Sequence, residues 1–130
     1  MKSLNLEKAL EYLRSVTNRP RMEVQQASIL LKLHSLQGEP VTMQDLEKRT
    51  PGTSQSIISR NCHAFGAKSK LGAKRLIDVR ICEDDIRFRA VCLSVDGLEV
   101  MNTFCGIANG SMKVPLGTKP AVDTRTQFKA

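Results

Sequence analysis

The first part of the chain carries apolar side chains at the spacing of an α-helix. Leucines recur at helical intervals over residues 3–17, which predicts an amphipathic helix with one buried stripe. Residues 22–36 are apolar on more than one face, which predicts a second helix that packs on several sides. Gly38 and Pro40 follow it and are typical of a helix end. The chain is therefore expected to begin with two helices, of which the second is central.

Two shorter helical segments follow and are joined by a tight turn. Thr42 and Asp45 have the spacing of a capping box, which predicts a helix that starts here and ends at residues 50–52. Thr53 is the expected N-cap of the next helix, which covers residues 54–66. That helix has an apolar face of Ile58, Cys62 and Phe65 and a polar face of Gln55, Ser56, Ser59, Arg60 and His63. Two short helices around a Gly-containing turn, the second with a hydrogen-bonding face, are typical of a helix-turn-helix.

The pattern then changes from helical spacing to alternation. Residues 76–82 and 86–94 alternate and flank an acidic turn, which predicts a β-hairpin. A last short helix is expected to end near Cys105. Prolines and glycines beyond that point exclude a long helix, so residues 106–130 are expected to form a basic extended tail. The predicted fold class is mainly α with a small β-hairpin (α+β).

The net charge and its distribution along the chain indicate the kind of partner to expect. The 130 residues are enough for one domain, and 41% hydrophobic with 25% charged residues is the composition of a soluble globular protein. The net charge of +7 predicts a polyanionic partner, either nucleic acid or an anionic membrane surface. Residues 53–76 contain five basic and no acidic side chains, whereas residues 77–105 contain three basic and six acidic ones. A basic charge concentrated in one stretch favours phosphate binding. With no membrane span or signal peptide in the pattern, a cytoplasmic location is expected.

Several kinds of site have no support in the sequence. There is no Gly-rich phosphate loop, no metal-ligand spacing and no nucleophile–base pair, so we expect no enzyme activity, catalytic residue, metal or cofactor. The four cysteines are separated by 20, 10 and 13 positions without a CxxC motif, and we expect them to pack as small hydrophobic residues. A redox role for Cys62 would need neighbours that lower its thiol pKa, and none is adjacent. His34 is expected to be a packed or half-exposed histidine.

The segment RLIDVRICEDDIRFRAVCLSVDGLEVM is similar to the hairpin region of the MarR-type transcriptional regulators. Leu76-Ile77 matches its beginning, Asp85-Ile86-Arg87 its D-x-R motif and residues 91–97 its end. The central helix and VTMQDLEKRT also resemble that family, so that about two-thirds of the chain takes part. The resemblance implies a winged helix-turn-helix with a DNA-binding domain over residues 1–105, whose N-terminal helix serves dimerisation, followed by the tail of residues 106–130.

The resemblance also implies which residues contact duplex DNA. Arg87 would enter the minor groove at the wing, held in place by Asp85, while the recognition helix lies in the major groove. Gln55, Ser59 and Arg60 are of the types that read base edges, and Ser56 with Lys68 or Lys70 would contact phosphates. The predicted DNA-binding residues are Gln55, Ser56, Ser59, Arg60, His63, Lys68, Lys70, Asp85, Arg87 and Arg89.

Three features depart from the family pattern. A basic loop over residues 66–75 is longer than usual, and either extends the recognition helix or, as we expect, adds a phosphate-binding loop. Asn61 stands where an apolar residue is usual. The last helix is short, which leaves open whether the chain forms the homodimer that the resemblance implies.

The function that follows from these features is a DNA-binding transcriptional regulator, with repression as the expected output. The alternative is a winged-helix module for non-specific or architectural nucleic-acid binding, or a protein–protein adaptor. A small-molecule effector is common in the resembling family, and no residue here identifies one.

Overall fold

The structure, a computed structural model, describes residues 3–20, 22, 24–66, 74–81 and 89–118. Within these ranges the chain forms five helices and three short strands. In chain order they are α1 (Ser3–Thr17), α2 (Val24–Ser35), β1 (Val41–Thr42), α3 (Met43–Arg49), α4 (Gln55–Phe65), β2 (Ile77–Ile81), β3 (Arg89–Leu93) and α5 (Val95–Ala108). The predicted fold class, mainly helical with a small β-hairpin, is confirmed.

The sheet is antiparallel, with β3 in the centre and β1 and β2 on either side. In the β2–β3 pair, Ile77 lies opposite Leu93 and Ile81 lies opposite Arg89. On the other side β1 adds two residues, with Val41 opposite Val91. The sequence pattern did not indicate β1, because two residues are too few to establish an alternation. This strand joins the helix-turn-helix to the sheet.

The core lies between the helices and the inner face of this sheet. Buried leucines and isoleucines of α1, α2, α3 and α4 meet Leu76, Ile77 and Val91 of the sheet region and Met101 of α5. The central position predicted for α2 is confirmed, since four of its residues are buried: Ala27, Ile29, Leu30 and Leu33. Of these, the larger side chains of Ile29, Leu30 and Leu33 each contribute roughly 1.5–3 kcal/mol when they are removed from water.

Helix α5 extends beyond its predicted end near Cys105. It starts at Val95 because the Ser94 hydroxyl accepts a hydrogen bond from the Gly97 amide at 2.9 Å. It continues past Cys105 to Ala108, so the predicted helix end was wrong. The helix ends where Gly110 adopts a left-handed conformation (φ +83°), which lets the Ser111 amide bond back to the Gly106 carbonyl at 2.9 Å. A glycine at position 106 therefore does not interrupt the helix.

The described part of the tail runs beside α1. A groove of about 590 Å³ separates residues 114–118 from the α1 side chains Lys8, Glu11 and Tyr12. A turn closed by the Thr118 amide and the Pro115 carbonyl ends this part. The division into a domain of residues 1–105 and a tail of residues 106–130 stays a prediction, and residues 119–130 lie outside the described ranges. Among the described helices, none combines the length and apolar character that crossing a bilayer requires.

Candidate nucleic-acid interface

Helices α3 and α4 are each started by a hydroxyl cap. The Thr42 Oγ1 accepts from the Asp45 amide at 3.1 Å, as the capping-box spacing predicted. The cap of α4 is Ser54, whose Oγ accepts from the Ile57 amide at 3.4 Å. Thr53 is not the cap, because its hydroxyl donates to the Thr50 carbonyl at 2.9 Å and so belongs to the end of α3. Between them Gly52 takes φ +83°, which makes the turn tight.

The buried and exposed faces of helix α4 are those that the sequence pattern predicted. Ile58, Cys62 and Phe65 are buried in the core. Gln55, Ser56 and Arg60 are exposed, while Ser59 and His63 are partly exposed. Burial raises the pKa of the Cys62 thiol to about 12, so this cysteine packs as a small hydrophobic residue. Cys62 therefore does not present a reactive thiolate at the surface of α4.

Two glutamines of α2 form hydrogen bonds with the turn and with the second helix of the helix-turn-helix. The Gln26 side-chain amide donates to the Asn61 Oδ1 at 3.1 Å, and the Gln25 amide donates to the Gly52 carbonyl at 3.3 Å. Asn61 is buried, with 8% of its surface exposed. Its polarity at a usually apolar position is thus explained by a partner on α2, which fixes the rotation of α4 by a directional bond.

Arg19, between α1 and α2, reaches the end of α4. Its guanidinium donates to the Ala64 carbonyl at 3.1 Å, and its central carbon lies 5.3 Å from the centroid of the Phe65 ring. The carbonyls at a helix C-terminus lack partners within the helix and carry partial negative charge, so a cation there is favourable. Partial burial lowers the pKa of Arg19, but the group remains far too basic to lose its charge near neutral pH.

A shallow depression of about 470 Å³ joins Arg19 to the polar face of α4. Its lining consists of Arg19, Ser56, Ser59, Arg60, His63 and Ala64. Among the residues that the structure describes, two guanidinium groups, two hydroxyls and an imidazole line it, and no carboxylate does. Such a set of donors suits an anion such as a phosphodiester. Sequence reasoning had found four of these residues but not Arg19, for which no local pattern gives a signal.

The hairpin is attached directly to the end of α4. The Leu76 amide donates to the Phe65 carbonyl at 2.9 Å, just before β2 begins. Helix α4 ends at Phe65, so the basic loop does not lengthen it as far as the structure describes the chain. Arg89 is exposed at the first position of β3. Lys68, Lys70, Asp85 and Arg87 lie outside the described residues, and their predicted roles remain predictions.

The part of the chain that the structure describes contains no cluster of metal-ligating side chains. Within residues 3–20, 22, 24–66, 74–81 and 89–118, no group of three histidine, cysteine or acidic side chains is placed to hold a metal ion. The polar residues of α4 carry hydroxyl, amide, guanidinium and imidazole groups, which form hydrogen bonds to bases and phosphates. The exposed face of α4 therefore presents hydrogen-bonding groups together with the Arg60 guanidinium.

Comparison with solved structures identifies the fold. The chain aligns with the structure of the S. aureus MepR–DNA complex at a TM-score of 0.61 and 16% identity, over 98% of this chain and 82% of that one. This is a winged-helix fold. A mutant MepR from a multidrug-resistant S. aureus clinical isolate aligns at a TM-score of 0.62 and 20% identity, covering 83% and 70% of the two chains. Both helices of the helix-turn-helix, the hairpin and α5 occur in the order this fold requires.

A third solved structure extends the likeness. BpsR of Bordetella bronchiseptica, whose DNA binding is regulated by 6-hydroxynicotinic acid, aligns at a TM-score of 0.50 and 16% identity, over 95% of this chain and 79% of that one. MepR and BpsR are MarR-family winged-helix regulators, so the predicted resemblance is found in the fold. No model of a known protein family matches the sequence, and no curated protein matches it either.

Proposed function

We propose that this chain is a DNA-binding transcription regulator that places α4 in the major groove and the β2–β3 hairpin against the minor groove. The observation that carries the proposal is the exposed polar face of α4, which combines base-reading and cationic side chains and lies at the root of a hairpin. A recognition helix needs such a face because donor and acceptor groups on base edges are read by side-chain hydrogen bonds. The structural likeness to DNA-binding MepR supports it.

The residues divide into two kinds of contact. Gln55, Ser59 and Arg60 are proposed to reach base edges from the exposed side of α4. Ser56, His63 and Arg19 line the depression beside them and are proposed to hold a backbone phosphate. Arg19 is suited to that contact because one of its N–H groups is fixed on Ala64, so its planar fork is already oriented before DNA arrives.

The remaining contacts are proposed from the sequence. Lys68 and Lys70 would bind phosphates, and Arg87 would enter the minor groove with Asp85 fixing its orientation. Arg89 is exposed at the start of β3, on the strand that leads out of the hairpin turn. It is proposed to contact the DNA backbone from there.

A homodimer is part of the proposal. Two copies would place two α4 helices one duplex turn apart and would read an inverted repeat. Exposed apolar side chains lie at the first turns of α1 and along residues 112–118: Leu4, Leu6, Met112, Val114 and Leu116. These exposed apolar side chains on and beside the N-terminal helix support association of two copies there. The expected output of binding at an operator is repression.

The experiment that tests this function is selection of bound duplexes from a random pool at physiological salt. We expect an enriched inverted repeat, with Arg60→Ala relaxing the preference at one base position and weakening binding by roughly 1–3 kcal/mol. Lys32→Ala removes an equal charge from the exposed side of α2 and is the matched control.

Other results would assign another function. Binding with a steep salt dependence and no enriched sequence would favour the architectural module. A protein partner that is retained after Arg60 and Arg87 are both replaced, together with no affinity for DNA, would favour the adaptor. Either result would refute the regulator. The proposal assigns no catalytic step to any residue.

A further inference from the structure

A cysteine, a histidine and an asparagine meet between α2 and α5, away from the proposed DNA-binding face. The Cys105 Sγ lies 3.9 Å from the His34 Nδ1, and the His34 Nε2 lies 2.7 Å from the Asn102 Oδ1. The three side chains are distant in sequence, with 68 positions between His34 and Asn102 and 71 between His34 and Cys105. Cys105 and His34 are partly exposed and Asn102 is exposed, so small molecules in solution have access.

The asparagine determines which nitrogen of His34 faces the thiol as an acceptor. The Asn102 Oδ1 is a carbonyl oxygen and only accepts hydrogen bonds, so the His34 Nε2 at 2.7 Å must carry the proton. The Nδ1 lone pair of that tautomer then points to the Cys105 thiol. A nucleophile within reach of a base, with the base held by a third polar group, is the arrangement that activates a thiol by proton transfer.

The surroundings of Cys105 favour the neutral thiol over the thiolate in the resting protein. Burial raises the pKa of the Cys105 thiol. The residue also lies in the last turns of α5, where the helix dipole is negative and the last turn contains no basic side chain. The proton must therefore leave as the sulfur reacts, and the His34 Nδ1 is the base in contact with it.

We propose that Cys105 is a modification site for small uncharged α,β-unsaturated carbonyl compounds, with His34 as the base and Asn102 as a positioning residue. The sulfur attacks the β-carbon and an S–C bond forms, while the thiol proton moves to the His34 Nδ1. The electrons of the C=C bond move onto the carbonyl oxygen as an enolate. The imidazolium returns its proton to the α-carbon, which leaves a thioether and the original imidazole tautomer. No oxidant and no leaving group are needed.

An uncharged reagent is specified by the same electrostatics. The carbonyl end of α5 repels anions and does not stabilise a negative group next to Cys105. The other described cysteines give internal references within one molecule, since Cys62 is 0% exposed and Cys92 is 4% exposed. The proposal does not depend on DNA binding, and it stands or fails separately from the proposed function.

The test is the reaction of the full chain with N-ethylmaleimide. Peptide mass spectrometry over time gives the rate of modification at each cysteine. Cys105 is expected to react at least roughly tenfold faster than Cys62 and Cys92, and His34→Gln is expected to slow it by roughly tenfold, the low end of general-base effects. Asn102→Ala should slow it by a smaller factor, and Asn102→Asp, which keeps an acceptor oxygen, should restore it. Lys32→Ala, on the same helix, is the control and should leave the rate unchanged.

The direction in which replacing His34 changes the modification rate distinguishes a base from a residue that only packs against Cys105. If His34 only covered Cys105, its replacement would expose the thiol and raise the rate, whereas loss of the base lowers it. The Cys62 rate reports unfolding in the same sample, because that thiol is fully buried. Unchanged or faster modification of Cys105 in His34→Gln, or a wild-type rate at Cys105 no higher than at Cys62, would overturn the proposal.

Discussion

Removing the Arg19 side chain should destabilise the C-terminal end of α4. In Arg19→Ala the Ala64 carbonyl loses a charged donor at 3.1 Å and the Phe65 ring loses a cation 5.3 Å from its centroid. A hydrogen bond to a charged group contributes about 1.5–3 kcal/mol, and a cation over an exposed ring contributes about 0.5–1 kcal/mol. The depression is open to solvent, so water replaces part of the lost bond and the lower ends apply.

The expected decrease in the free energy of unfolding is therefore about 2 kcal/mol, which for a chain of this size lowers Tm by roughly 5–10 °C. Urea unfolding followed by circular dichroism measures the free energy, and a thermal melt measures Tm. Arg49→Ala is the matched control, because it removes the same side chain from the last turn of α3, where Arg49 is exposed. We expect that control to lose no more than about 0.5 kcal/mol.

Arg19→Lys separates charge from geometry. Lysine keeps the cation near the helix end but lacks the planar fork that lies over Phe65, so we expect an intermediate loss of about 1 kcal/mol. If Arg19→Ala unfolded at the same urea concentration as Arg49→Ala, the reasoning that the α1–α2 connection holds α4 through this side chain would be refuted. A loss of DNA affinity at full stability would instead assign Arg19 to phosphate binding alone.

Two further predictions concern the attachment of α5. Gly97→Ala should lower the free energy of unfolding by about 3 kcal/mol, because a Cβ there would overlap the Leu76 carbonyl oxygen, which is a backbone atom. Gly52→Ala is its control in urea unfolding, because no atom lies within 4 Å of the position that a Cβ would take there. Only the left-handed φ of +83° opposes alanine at this position, at about 1 kcal/mol. Equal losses of stability in the two variants would contradict the steric argument. Ser94→Ala should lower it by about 1–2 kcal/mol, since the hydroxyl caps α5 and donates to the Arg75 carbonyl at 2.6 Å; an unchanged urea midpoint would show that neither bond contributes.

Local pattern was sufficient for most of the fold. The apolar stripe over residues 3–17, the apolar face of Ile58, Cys62 and Phe65, and the alternation of the hairpin strands each depend on neighbours a few positions apart. A helix or strand with one buried face needs that spacing, so the pattern in the sequence is the same pattern that the core imposes. The capping hydroxyl of Thr42 is equally local, because donor and acceptor are three residues apart.

The candidate site could be predicted from the sequence to the same extent as the fold. The polar face of α4 follows from its apolar face by elimination, since what does not enter the core of an amphipathic helix faces outward. The cap of α4 was displaced by one residue, because Thr53 and Ser54 are both acceptable caps and only the bond from Thr53 to the Thr50 carbonyl decides between them. The end of α5 was displaced by three residues, because the left-handed turn at Gly110, rather than Gly106, stops it.

The sequence by itself determined where helices and strands form and which face of each is apolar. Only the tertiary structure brought Arg19 to Ala64 across 45 positions, Gln26 to Asn61 across 35, and His34 to Cys105 across 71. These contacts are made by single polar side chains, and one donor facing one acceptor leaves no periodic signal along the chain. Their geometry depends on how α1, α2 and α5 pack, because packed helices fix positions that spacing within any one helix does not contain.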